Sequence, residues 1–171
     1  GGHSWASYGV VNAIHAVSAL AASLASWPLP AAPRTALTVS RISGGSAVNA
    51  IPSDASIEVD VRSTSGGELD RLDDEIHAAA QRVLETHNRQ RRPGTPPLQL
   101  AIGITGDRPG GALPGNAFLG QAAYDATRLI GRSPDSAVAS TDANIPLHLG
   151  IPAIALGAGG RHHVLVELEG G

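Results

Sequence analysis

Between Ala55 and Arg62 the chain alternates strictly, with Ile57, Val59 and Val61 on one side and Glu58, Asp60 and Arg62 on the other. Period-two alternation predicts a strand with one face on a core and one face polar. Residues 11–26 keep a different rhythm. Val11, Ile14, Val17, Ala21 and Leu24 recur at three- and four-residue spacing, which predicts an amphipathic helix. Pro28, Pro30 and Pro33 stop it. Leu37 and Val39 then alternate with Thr38 and Ser40 as a strand, and the Gly44-Gly45 turn leads on towards the 55–62 strand. Ser65 followed by Glu68 fits a capping box that opens a second helix, with Leu69, Leu72, Ile76, Ala79 and Val83 on one side. After the Pro93–Pro97 turn, Leu98, Leu100, Ile102 and Ile104 alternate with small or polar residues and predict a further strand.

The order is helix, strand, strand, helix, strand. One more strand before His3 would complete the βαββαβ pattern of a ferredoxin-like sandwich, so the expected class is α/β in the α+β sense. The stretch GDRPGGALPG, residues 106–115, breaks the composition and sets the expected domain boundary, 1–111 and 112–171. Beyond it the sequence predicts a helix near 117–130 and short strands at Ala137–Ala139 and Ala153–Leu156. Those strands are continuously apolar, as if buried on both faces. Sixty residues cannot cover them alone, so the second part reads as one edge of a larger sheet. The start at Gly1-Gly2-His3, without Met, suggests a fragment or processed product.

A formal charge of −3 and the absence of a Lys/Arg run argue against nucleic acid as the main partner. The basic cluster Arg89, Arg91 and Arg92 ends a helix, where cations favour the dipole. With no cysteine, disulfides and thiolate metal sites are excluded. No apolar stretch reaches the roughly 18 residues of a membrane span, and the default reading is a soluble cytoplasmic protein.

Several residues carry two readings. His3, in GGHSW, either polarises a carbonyl or is an exposed terminal His. Asn49 on the turn and Arg62 at a strand end could both reach an anionic ligand, the Arg as a forked donor to a carboxylate; otherwise they decorate a solvated hairpin. His15, His77 and His87 read as solvated or packed helix residues, and His148 as packed in an apolar run. The Gly157–Gly160 loop lacks the Lys-Ser/Thr of a phosphate loop. His163 and Glu167 have the spacing of a metal ligand and its supporting carboxylate, although a zinc site needs three or four protein ligands. Ser140 to Asn144 reads either as a polar site or as a helix N-cap. No Gly-x-Ser-x-Gly elbow is present.

Taken in order, GGHSWASYG, GGSAVNAIPSDASIEVDVRS, GDRPGG and STDANIPLHLGIPAIALGAGGR resemble the co-catalytic zinc peptidase and deacylase family. That family includes acetylornithine deacetylase, succinyl-diaminopimelate desuccinylase, carboxypeptidases acting on acyl-amino acids, and peptidase T. The resemblance reaches to about Arg161. It implies a two-zinc α/β domain interrupted by a ferredoxin-like lid that commonly dimerises, with residues 1–111 as the lid. It further implies that His3 reaches a partner subunit's active site and polarises the scissile carbonyl, that Asn49 contacts substrate, and that Arg62 meets a substrate carboxylate. The family's His-x-Asp, bridging Asp and Glu-Glu pair are not found here, and His163 is the one zinc ligand that could remain. The loop after GGR also departs from the family, running directly into His162-His163.

The expected function is thus that of a fragment of a zinc-dependent amide hydrolase acting on N-acyl amino acids or small peptides, a homodimer through its lid. Such a chain would be inactive alone. The competing expectations are a ferredoxin-like dimerisation module without chemistry, and a carboxylate-binding module using Asn49 and Arg62.

Overall fold

The computed structural model describes residues 1–157. It divides between Asp107 and Arg108 into two compact units. The first contains β1 (Gly2–His3), α1 (Ala13–Ala25), β2 (Thr35–Gly44), β3 (Ala50–Ile51), β4 (Ala55–Ser63) and α2 (Gly66–Gln90).

β2 and β4 form an antiparallel pair, with Thr35 opposite Ser63, Val39 opposite Val59 and Gly44 opposite Ala55. The register slips between Val39 and Arg41, and the Ser40 hydroxyl fills the irregularity by donating to the Glu58 carbonyl at 3.1 Å. Along β4 the burial alternates residue by residue, as the sequence pattern requires. Ile57, Val59 and Val61 face the helices, and Arg41 pairs with Glu58 on the polar face at 3.3 Å. An isolated hairpin is marginal in water, and packing against helices is what stabilises it. α1 packs on both strands, and α2 packs on β4 and α1.

Both helices start at side-chain caps. Asn12 accepts the His15 amide at 3.2 Å, and Ser65 accepts the Glu68 amide at 3.4 Å. Glu68 does not complete the capping box; its carboxylate engages Arg71, which also bridges to Glu75. That hydrogen bond holds the Glu68 carboxyl below the ordinary carboxylate range, and the two carboxylates raise the Arg71 guanidinium further. The core is small: Val11, Ala13, Ala16, Leu24, Leu72, Ala79 and Ala80. Leu24 and Leu72, at 2% and 0% exposure, are its only bulky fully enclosed side chains among the described residues.

The mixed helix and antiparallel-sheet class is as expected, but the sheet is narrower. Residues 98–104 form no strand, and Leu100, Ile102 and Ile104 are 40%, 43% and 74% exposed. Alternation supplies side chains for a face, whereas a strand also needs a backbone to pair with, and this segment pairs with none of the described residues. The segment is held at its start by Asn88, whose amide donates to the Leu98 carbonyl at 3.0 Å and accepts the Leu98 N–H at 2.8 Å. The pairing of β1 with β3 was not foreseen.

The second unit contains α3 (Phe118–Leu129) and α4 (Asn144–His148). The strands expected at 137–139 and 153–156 do not form, since continuously apolar strands need flanking strands to pair with. No residue of either helix is buried, and Phe118 is 86% exposed. Asn144 donates to the Pro109 carbonyl at 3.4 Å, so the Gly/Pro-rich stretch from Arg108 associates with this unit. His148 is exposed rather than packed, because its ring leaves the apolar run to meet the Gly110 carbonyl at 3.3 Å. At 140–144 the helix N-cap is Ala143, which has no side-chain bond to offer, and Asn144 instead accepts the Thr141 amide at 2.9 Å. Among the described residues no helix is long and apolar enough to cross a membrane.

Candidate functional site

His3 and Asn49 are brought together by backbone pairing. His3 stands opposite Ala50 in the β1–β3 ladder, and the next amide, Ser4, donates to the Asn49 carbonyl at 2.9 Å. The ladder is possible because residue 2 is glycine. A Cβ there would lie 2.3 Å from the Ser7 hydroxyl, where the chain turns back after the strand.

That turn also fixes the His3 ring. The Ser7 amide donates to the His3 carbonyl at 2.9 Å, and the Trp5 and Ala6 amides approach Nδ1 at 3.2 and 3.5 Å. Nδ1 is therefore an acceptor, and in the neutral ring the proton sits on Nε2. The exposed ring presents an N–H donor. The Asn49 side chain is exposed as well and takes no hydrogen bond among the described residues. Trp5, Tyr8 and Val48, close in the chain to His3 and Asn49, are 88%, 82% and 106% exposed. No sequence pattern announces these exposed apolar side chains, because single aromatics in a glycine-rich loop carry no periodicity.

Arg62 is elsewhere. It stands opposite Ala36 near the far end of the hairpin, seven residues beyond Ala55, or roughly 23 Å along the strand. Its Nε donates to Asp60 at 2.7 Å, an i,i+2 pair on the polar face. Within one chain the three residues do not share a concavity. His163, Glu167 and most of the Gly157–Gly160 loop lie outside the described residues.

A metal site needs three or more His, Asp or Glu side chains converging, and among the described residues none do. His77 meets Asp73 on its own helix, and His148 a backbone carbonyl. The described residues therefore do not fit the two zinc ions of the resemblance.

No curated protein matches the chain. The family model for a peptidase dimerisation domain matches residues 1–88, from the residue before β1 into the last turn of α2, and so covers half of the chain. The chain belongs to the M20 peptidase family, a family of metallopeptidases, through this dimerisation domain.

Proposed function

We propose that the chain supplies the carbonyl-polarising end of a dimeric amide hydrolase that cleaves N-acyl amino acids or small peptides. The observation that carries this reading is the locked His3 ring, whose Nδ1 is satisfied by backbone amides so that Nε2–H faces outward beside Asn49. An outward, preorganised donor is what an oxygen gaining negative charge requires. Asn49 adds a second donor from its amide. The rim of Trp5, Tyr8 and Val48 excludes water when it is covered, which strengthens both contacts.

The partner would be a second copy. β2 has an outer edge without a strand neighbour among the described residues, and antiparallel pairing of two such edges is a two-fold, self-complementary contact. Antiparallel pairing sets the Gly44 end of one hairpin against the Thr35 end of the other. The His3–Asn49 end of one chain then approaches Arg62 of the partner subunit, which recovers the grouping that a single chain lacks. Arg62 would there meet the substrate carboxylate with the face of its guanidinium not used by Asp60.

Zinc, in this reading, would be held by residues other than those described, and would supply an activated water when bound. Purified chain is expected to hold far less than one zinc per subunit and to hydrolyse no N-acyl amino acid. The decisive test replaces the dimerisation domain of a metal-loaded family member with residues 1–107. In that chimera His3→Ala should lower kcat by about 10²–10³ with KM little changed. An unchanged kcat would remove His3 from the chemistry and leave a dimerisation module alone.

A further inference from the structure

A cleft of about 340 Å³ opens in the first unit where the 4–12 loop, the first turn of α1 and the end of α2 converge. Ser4, Tyr8, Asn12, His15, His87 and Arg91 contribute its polar lining, and Val10, Val11 and Ile51 its apolar floor. Among the described residues, no Asp or Glu lines it. The volume lies at the small end of ligand pockets.

The loop is drawn onto the helix end by a close backbone crossing. Gly9 accepts the Arg92 amide at 2.8 Å with φ +84°, and a Cβ at that position would lie 2.9 Å from Arg92 Cβ. The Nε of the preceding residue, Arg91, is buried and has no hydrogen-bond partner among the described residues. A buried donor without an acceptor is costly, and a guanidinium more so than an amide. The neighbours offer no relief, since the rest of the polar lining consists of imidazoles, hydroxyls and amides rather than anions.

The geometry points to a binding site for a small oxyanion, a carboxylate or a phosphate, in this cleft. Arg91 is the principal donor, His15 and His87 flank it, and the exposed Tyr8 hydroxyl closes over the bound group. Two helix ends meet at the cleft with opposed effects. The amides at the start of α1 favour an anion, while the last carbonyls of α2 oppose it. Each counts for about half a charge, so they largely cancel and the full charge of Arg91 decides the sign. This site shares Tyr8 with the rim beside His3, but its charged donor and its two imidazoles sit on the helix ends rather than on the β1–β3 ladder.

The test is a titration of the isotope-labelled full chain followed by NMR. Sodium phosphate is used in one arm and sodium acetate in another, with sodium chloride holding the ionic strength. The expected result is saturable movement of the His15 and His87 imidazole signals and of the Gly9–Val11 amides. His77, on the same helix but outside the cleft, should stay in place. Saturation with phosphate alone assigns the site to phosphate groups, with acetate alone to carboxylates, and with both to oxyanions in general. Arg91→Gln should weaken binding roughly tenfold. His15→Gln, at an exposed helix position, should weaken it by a smaller factor if the first variant does not fold. Linear shifts in both arms, equal movement at His77, or unchanged affinity in the folded variants would overturn the proposal.

Discussion

Asn88 holds Leu98 by both halves of its side-chain amide, copying the paired N–H and C=O exchange of two residues in an antiparallel ladder. Both residues are half-buried. Asn88→Ala should therefore strand a donor and an acceptor and cost roughly 1–3 kcal/mol. Asn88→Asp should be no better, since its carboxylate faces the Leu98 carbonyl. Amide exchange at Leu98 and protease cleavage within 93–104 are the readouts. Protection at Leu98 that survives both substitutions would show that the clamp contributes nothing.

Leu72 has no exposed surface and sits in a core otherwise made largely of alanine. Leu72→Ala should cost about 2–5 kcal/mol, a large share of the roughly 5–15 kcal/mol that keeps a domain folded. Leu100→Ala, at a 40% exposed position, should cost less than about 0.5 kcal/mol. Thermal unfolding of the two variants compares them directly, and equal losses would contradict the core described above.

Arg71 joins Glu68 and Glu75 along α2 and holds the Glu68 carboxyl below its ordinary value of 4.5. A carboxyl whose folded pKa is depressed stabilises the fold above the unfolded value, and that contribution fades as pH falls through the folded value. Glu68→Gln should thus lower Tm at neutral pH and make little difference well below pH 4.5. The guanidinium of Arg71 is exposed, so molar salt should shrink the neutral-pH difference. A difference that grows on acidification would reverse the assignment.

Gly9 occupies the left-handed region against Arg92. Gly9→Ala adds a Cβ where there is no room and forces a backbone conformation that costs roughly 1–2 kcal/mol for other residues. The expected outcome is loss of the Gly9–Arg92 hydrogen bond, seen as faster exchange of the Arg92 amide, with α2 otherwise intact.

Elements defined by their own periodicity were readable in advance. The stripe from Val11 to Leu24 gave α1, the alternation from Ile57 to Val61 gave β4, and Ser65 marked the start of α2. Leu98 to Ile104 has the same alternation as β4 yet forms no strand, because pairing depends on a second backbone that no local pattern reports. The β1–β3 ladder failed in the opposite direction. Two residues on each side are too short for any period, and they form through Gly2 and the turn at Ala47. His3 and Asn49 were singled out separately, and their adjacency followed only from that ladder. His15 and Arg91, 76 positions apart in the chain, each looked like an ordinary helix-end residue. Only the packing of α1 against α2 brings them to one cleft.

Among the described residues, the β2–β4 pair leaves an unshared rail of amides and carbonyls on each long side. Joining along β2 alone is two-fold and gives two copies, with a β4 edge still open on each outer side. Joining β2 of one chain to β4 of the next has no such stop and extends into a ribbon. An edge left open in this way is a template for unwanted pairing, so whatever covers β4 decides whether assembly ends at a pair.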